Sequence, residues 1–463
     1  VGGILAIGAA GRNDAQGARR MKENVILTHL TPWLMQVPTD WHKGRLDNYV
    51  DVFFSNVDKH TIDGEIPIKL CNYVDVYKND RITSELNYME ASAERHEIKK
   101  FQIRYGDILV TKDSETPDDI AISAFVAEEI PGVICGYHLA ILRARSSRIE
   151  GKYLAWLHSS KAFRAQYEAN AVGVTRFGLS QHWFREVRLP LPPLPEQIRI
   201  AAYLDASCAA IDAAVNAKKK QLEALTEMKK ETLHRAFNHA EWPVERVKDL
   251  AIKIGSGVTP DGGSAGYLDE GIPLLRSQNV HFDGLRLDDV AFIAPETHRE
   301  MRNSQLKPHD VLLNITGASI GRCSYVPDDF GEGNVNQHVC IIRPGHRLHF
   351  RFLAEYLSSP MGQGQIMSTF TGASRQGLSH KDLGLIRIPA PSIETQSEVV
   401  ASLNTAEKQR SKLFSNIESQ IATLIDYRKS LIHECVTGQR RISEADVAKV
   451  ERTLEQAAGL PQQ

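Results

Sequence analysis

A phrase at 189–205, "LPLPPLPEQIRIAAYLD", returns at 388–404 as "IPAPSIETQSEVVASLN". Pro190 and Pro389, Pro192 and Pro391, and Gln197 and Gln396 are each 199 positions apart (389 − 190 = 199). The same offset links "YLAWLHSS" (153–160) to "FLAEYLSS" (352–359), "GVTRFGLS" (173–180) to "GASRQGLS" (372–379), and "LTEMKKETLH" (225–234) to "LIDYRKSLIH" (424–433). Upstream, "YGDILVTKDS" (105–114) resembles "HDVLLNITG" (309–317), and Trp41 before "HKGRLDNYV" resembles Trp242 before "PVERVKDLA". The period is too long for a solenoid. It describes a globular domain followed by a helix, written twice.

Within each globular part the pattern is short and β-like. "GDILVT", "AISAFVA" and "HLAILRA" predict strands, as does the alternation near Val187, and "HVCIIRP" repeats one of them in the second copy. "KYLAWLHSSKAFRAQYEA" and "FRFLAEYLSSPMGQGQIMS" predict helices. After each proline phrase a longer helix begins, proline being tolerated where the first amides have no intrahelical partner. Steps of four and three from Leu204 give Cys208, Ile211, Val215, Lys218, Leu222, Leu225 and Lys229. From Leu403 they give Glu407, Arg410, Phe414, Ile417, Ile421, Leu424, Arg428, Leu431 and Cys435, in identical register. Each helix is about 60 Å long at 1.5 Å per residue, and so long a seam needs a cover.

Packing on its own domain is one way to cover each helix; pairing of the two is the sharper expectation. An antiparallel pair relates two copies in one chain by a pseudo-two-fold axis and brings Lys229 to Glu407 across the seam. The expected fold is α+β: two similar mixed α/β domains separated by two long helices forming an antiparallel coiled coil. The expected boundaries are a loose N-terminal tail at 1–23, a first domain at 24–193 with its helix at 194–239, a second domain at 240–391 with its helix at 392–438, and a C-terminal tail at 439–463. Such a rod holds two reading heads at a set distance, which on duplex DNA specifies two half-sites with a fixed gap.

Bulk properties fit this picture without naming it. A chain of 463 residues is long enough for two or more cores. Net charge is −2, against the overall basicity usual in a lone nucleic-acid binder, so a local basic face or a basic partner must supply phosphate contacts. The six cysteines form no CxxC, and scattered thiols suit a reducing cytosol. No run of about 18 apolar residues predicts a membrane span. The opening stretch lacks the order of a signal peptide and reads as a tail before a start at Met21.

The repeated proline phrases, "GDILVTKDS", the "GVTRFGLS/GASRQGLS" pair and the domain–helix–domain–helix order together resemble the specificity (S) subunit of type I restriction–modification enzymes, over about residues 40–440. The resemblance implies two target recognition domains, each reading one half of a split DNA sequence. It implies that the helices form the spacer and dock two methylation subunits, with Pro192, Pro195, Glu196, Gln197, Pro391 and Gln396 as docking residues. Restriction subunits then join. S-adenosylmethionine and methyl transfer belong to the methylation partner, and this chain carries no cofactor and no chemistry. One departure is Thr395 where the first phrase has Glu196, which puts the second docking point in doubt.

No enzyme is written in the residues either. The only Pro-Pro follows Leu191, so no Asn/Asp-Pro-Pro-aromatic loop exists to grip a flipped adenine, and "GEG" and "GQG" complete no GxGxxG. Glu227-Met228-Lys229 matches a nuclease ExK only on a charged helix face, and 117–119 and 327–329 read as turns. His138 and His338 head matching strands, where a structural role is the default; Lys218-Lys219-Lys220 reads as a solvated face. Base and phosphate contacts want Arg, Lys, amides and hydroxyls on loops. In the first head these are Asn72, Tyr73, Lys78, Arg81, Lys112, Ser114 and Arg176. In the second they are Arg276, Gln278, Asn279, Thr316, Ser319, Arg322, Asn336, Gln337 and Arg375, with Gly173 and Gly372 permitting tight turns. For each, a satisfied surface or structural role is the competing explanation. Two other functions remain open: a nucleic-acid-binding adaptor of another defence or regulatory complex, and a scaffold without nucleic-acid contact.

Overall fold

A computed structural model describes residues 32–145, 147–260, 263–370 and 377–457. The chain forms two compact units, 1–217 with 421–463, and 218–420. The division cuts both long helices rather than following the expected domain borders.

In the first unit a five-stranded sheet runs in the order Val50–Phe54, Leu139–Ala144, Ile108–Thr111, Ser123–Val126, Arg81–Ile82. Every residue of Ile108–Thr111 is buried. Alternate side chains of a strand point to opposite faces, and here both faces are covered. Ile108, Val110, Ala140 and Leu142 pack with Tyr153, Leu157, Phe163 and Tyr167 of the helices Gly151–Ser159 and Lys161–Glu168. Leu109, Leu139 and Ile141 pack with Ile68, Ala91 and Val133 of a second, three-stranded sheet. Burial on both faces is why "GDILVT" reads as a continuous apolar run rather than an alternation.

The second unit repeats the plan. Its sheet runs Ala251–Ser256, Val339–Pro344, Val311–Asn314, Cys323–Tyr325. Val311, Leu313, Cys340 and Ile342 face the helices, through Phe352, Leu353 and Leu357, while Leu312, Val339 and Ile341 face the opposite cluster. Each frame also carries the same ion pair on a buried carboxylate. Arg143 donates to Asp107 through Nε (2.7 Å) and Nη2 (2.6 Å); Arg343 does so to Asp310 at 2.6 and 2.7 Å.

The long helices are Leu194–Phe237 and Ile393–Val436. In the first unit Leu204, Cys208 and Ile211 share a core with Leu431, Ile432 and Cys435, and Arg428 pairs with Asp212 at 3.1 Å. In the second, Leu233 and Phe237 share a core with Val400 and Leu403, and Lys229 lies 3.6 Å from Glu407. Rising numbers on one helix meet falling numbers on the other, so the pairing is antiparallel in each unit. No described helix is long and apolar enough to cross a membrane.

Two expectations need correction. Each domain-helix prediction is in fact two helices, broken at Ser160 and Ser359, whose backbones are extended (ψ 123° and 159°). The segment from 439 is not a tail throughout. Ile442 is buried, and a helix at Glu444–Ala457 packs Val447 and Val450 against the first unit's core. Ser443 and Asp446 exchange the reciprocal bonds of a capping box at its start. The expected N-terminal tail at 1–23 lies outside the described residues.

Candidate nucleic-acid interface

In both units the polar candidates gather where the central strand ends and its antiparallel neighbour begins. Leu139 pairs with Thr111, so the residues just beyond, Lys112-Asp113 and Tyr137-His138, emerge side by side. A hairpin, Val172–Gly173 with Phe177–Gly178, adds to this edge through Phe177 opposite Ser114 and Gly178 opposite Asp113. A Cβ on Gly173 would lie 2.0 Å from the Arg176 carbonyl oxygen, so only glycine lets the hairpin turn this tightly.

The result is a compact constellation. Arg176 Nη2 donates to Asp113 Oδ1 at 2.7 Å, and His138 Nδ1 lies 2.8 Å from Asp113 Oδ2 and 3.3 Å from Arg176 Nη2. The carboxylate holds the Arg176 guanidinium above its ordinary pKa. Arg176 is 56% exposed and Asp113 16%. Lys112 lies beside them, its Nζ donating to the Ser55 carbonyl (3.0 Å) and sitting 4.6 Å from the Tyr137 ring centre. Burial lowers its pKa, against the opposing pull of Asp113. Tyr73 stacks on Tyr77 at 5.4 Å.

In the second unit Asn314 pairs with Val339, so Thr316 and Gln337-His338 emerge together, and Thr316 bridges to Gly377. Thr316 Oγ1 lies 2.6 Å from His338 Nδ1. The Gln337 amide nitrogen lies 3.1 Å from His338 Nε2, and the Thr259 hydroxyl bonds the Gln337 oxygen. An amide N–H can only donate, so this network puts the His338 hydrogen on Nδ1, toward Thr316. Thr316 and Gln337 thus stand where Asp113 and Tyr137 stand in the first unit.

Several candidates do not join these clusters. Asn72 caps the helix Tyr73–Lys78, accepting from Val74 N and Asp75 N. Lys78 is exposed at that helix's end. Arg81 pairs with Phe125, which itself faces Ile108, so it sits at the far end of the strand from Lys112. Ser114 is buried beneath the hairpin. Asn279 is 1% exposed and ties the 276–279 turn, accepting from Arg276 N and donating to the Arg286 and Asp289 carbonyls. Arg276 and Gln278 both bond Asp289. Ser319 accepts from Asn314, and Asn336 is buried, accepting from His338 N. Arg322 is half-buried and makes no ion pair among the described residues. Arg375 and Gly372 lie outside the described residues. Sequence reasoning missed Asp113 and Tyr137 and gave His138 and His338 only a structural default; the signal was their place at facing strand ends.

The expected docking residues also turn inward. Gln197 and Gln396 are both 0% exposed. Gln197 Nε2 donates to the Arg148 and Pro192 carbonyls (2.9 and 2.8 Å), and its Oε1 accepts from Glu150 N (2.9 Å). Gln396 makes the same three bonds with Arg347, Pro391 and His349 (3.0, 2.9 and 2.8 Å). Glu196 is 4% exposed and accepts from Trp41 Nε1 (3.2 Å) and Arg441 Nε (2.6 Å). Pro192 is buried and Pro391 half-buried; Pro195 alone of the set is exposed. A buried group whose hydrogen bonds are satisfied offers a partner nothing, so the glutamines and Glu196 clamp the frame.

Comparison with known proteins closes the picture. The model of the type I restriction modification DNA specificity domain matches residues 51–224 and again 241–423. The EcoBI type I restriction enzyme specificity subunit of Escherichia coli is 25% identical over 333 residues, 65% of this chain and 69% of the relative. A putative MjaX specificity subunit of Methanocaldococcus jannaschii is 23% identical over 392 residues, 80% of this chain and 88% of the relative. In fold, a chain from a structural study of type I R-M complex assembly and conformational transition superposes with a TM-score of 0.70, at 20% identity, covering 86% of this chain and 98% of that one. The HsdS subunit from Thermoanaerobacter tengcongensis does so at 0.51, with 20% identity and coverage of 87% and 98%.

Proposed function

Because the chain belongs to the type I restriction modification DNA specificity family, we propose that it is the non-catalytic, sequence-reading subunit of a type I restriction–modification complex. Each recognition domain reads one half of a bipartite duplex target, and the long helices set the gap and dock methylation subunits, which bring S-adenosylmethionine and the methyl transfer. Restriction subunits join that assembly. One observation carries the reading: a single chain presents the same strand-end cluster twice, on one frame, with different side chains. Two heads of one design and two chemistries are what an asymmetric split sequence requires. Of the candidates, Tyr73, Lys112, Arg176, Thr316 and Gln337 have the placement for this role, and Lys78 has the exposure for phosphate contacts.

The test is genome-wide mapping of methylated adenines with and without the chain. A split motif that vanishes on deletion is expected, and exchange of residues 38–190 for another head changes one half of it. Unchanged methylation, or a change in both halves, refutes the proposal. Duplex binding by the assembled complex weakens steeply with salt as counterions are released; affinity indifferent to salt excludes phosphate contact.

A further inference from the structure

We propose that Arg176 reads a guanine and that Asp113 is its positioning residue, so that the half-site of the first head contains a G·C pair read from the major groove. The inference rests on the proposed function and deepens it. A guanidinium that contacts bases must be aimed, because guanine is recognised by two parallel bonds to O6 and N7. Asp113 supplies the aim. Its carboxylate is largely buried, with Oδ1 on Arg176 (2.7 Å) and Oδ2 on His138 (2.8 Å). The hairpin that carries Arg176 is fixed by the close approach of Gly173 to the Arg176 carbonyl. The guanidinium spends one Nη2 hydrogen on Asp113 Oδ1; His138 Nδ1 gives its own hydrogen to Asp113 Oδ2, so its 3.3 Å approach to Nη2 is not a second donation. Nη1 and the second Nη2 hydrogen remain as a donor pair on a side chain that is 56% exposed.

The carboxylate also separates base reading from phosphate binding. A phosphate contact gains from undiminished positive charge, and an aspartate 2.7 Å away offsets that charge. A base-edge contact gains from orientation and tolerates the loss. Adenine presents one acceptor and one donor in the major groove, cytosine a donor and thymine a single acceptor; a tip of two donors fits guanine alone. The second head has Thr316 in place of Asp113, bonded to His338 at 2.6 Å. A hydroxyl carries no charge to balance a guanidinium, so an arginine aimed by a carboxylate at this position belongs to the first head.

The experiment uses the full chain assembled with its methylation subunits and a random duplex pool, selected for binding and sequenced. Wild type is compared with R176A, R176K, D113N and the double variant D113N/R176A, each checked by thermal melting. R176A is expected to lose its preference at one G·C pair by about 5- to 150-fold, the value of one bidentate pair, with the other half-site unchanged. R176K keeps guanine with weaker discrimination, a point charge lacking the planar fork. D113N loses discrimination at that same pair, and the double variant loses no more than R176A. A merely structural ion pair moves the melting temperature and not the base preference. The assignment is overturned if R176A weakens all sequences uniformly, if the affected pair is A·T, or if D113N acts at other positions. If the wild-type complex enriches no two-part motif, the proposed function falls; a two-part motif that survives R176A overturns this assignment alone.

Discussion

Replacing Gln197 with Met keeps roughly the side-chain volume and deletes three hydrogen bonds at once. The Glu150 amide and the Arg148 and Pro192 carbonyls then lose their partner, each bond having been 2.8–2.9 Å long. A buried polar group left unpaired costs about 1–3 kcal/mol. The loop at 148–150 is only partly buried, so water recovers some of that, and about 3 kcal/mol is expected for the first unit. For a unit of this size each kcal/mol moves the melting temperature by about 2–4 °C, which gives a fall of roughly 6–12 °C. Gln396→Met does the same in the second unit, through Arg347, Pro391 and His349. Each clamp lies inside one compact unit, so the double variant loses the sum of the two. Calorimetry or urea unfolding of the full chain measures the losses, and titration with the methylation subunit, below the melting point, measures docking. Losses under about 1 kcal/mol together with lost docking would restore the partner-binding role and refute the clamp.

Two further outcomes follow from buried groups. Asp107→Asn and Asp310→Asn each leave an arginine, Arg143 or Arg343, without its buried carboxylate. Both guanidiniums are 18% exposed, so water recovers part of the about 3–5 kcal/mol of a fully buried pair, and about 2–3 kcal/mol is expected in urea unfolding; losses below about 1 kcal/mol mean the pairs do not hold the frame. Burial pulls the His158 imidazole down to about 4, while its Nδ1 bonds the Leu154 carbonyl and its Nε2 the Tyr167 hydroxyl. The folded state therefore stays unprotonated where the unfolded chain, with an ordinary imidazole near 6.5, takes a proton. Stability from this group is complete above pH 7 and is lost as pH falls from about 6.5 toward 4, with a slope approaching 1.4 kcal/mol per pH unit. His158→Phe should flatten that slope, and equal slopes in the two proteins rule the assignment out.

The duplication and the helix seam were legible because both are patterns over many residues: a constant offset, and apolar spacing fixed by helix geometry. The Lys229–Glu407 contact followed from the seam once antiparallel pairing was assumed. What a polar residue does with its side chain was far less legible. Glutamine after two prolines reads equally well as an exposed docking group or as a clamp on loop carbonyls, and only burial decides. Asn279 and Arg276 sit on a loop and have the chemistry of base readers, yet their bonds go to Asp289 and Arg286. Arg81 follows the same polar–aromatic stretch as Tyr73, but the parallel pairing with Phe125 carries it to the other end of the sheet. The helix at Glu444–Ala457 did announce itself, in Ser443 and Asp446 three residues apart ahead of an apolar stripe.

The strands were visible in the sequence while their pairing was not, and pairing is what builds the cluster. Once Thr111 is opposite Leu139, a residue two places past the first and one place before the second must be neighbours, which brings Asp113 to His138. The same step in the second copy brings Thr316 to His338. With the copies thus aligned within one molecule, the differences between them become informative. Asp107 and Asp310, Arg143 and Arg343, and Gln197 and Gln396 are the same in both and make the same bonds, so they serve what the copies share, the frame. Asp113 against Thr316 and Tyr137 against Gln337 differ at two matched positions of the sheet edge, the first pair half-buried and the second exposed. A position held in place by an invariant frame and filled with different chemistry is free to vary without cost to folding, and that is the condition a head must meet to change the bases it reads.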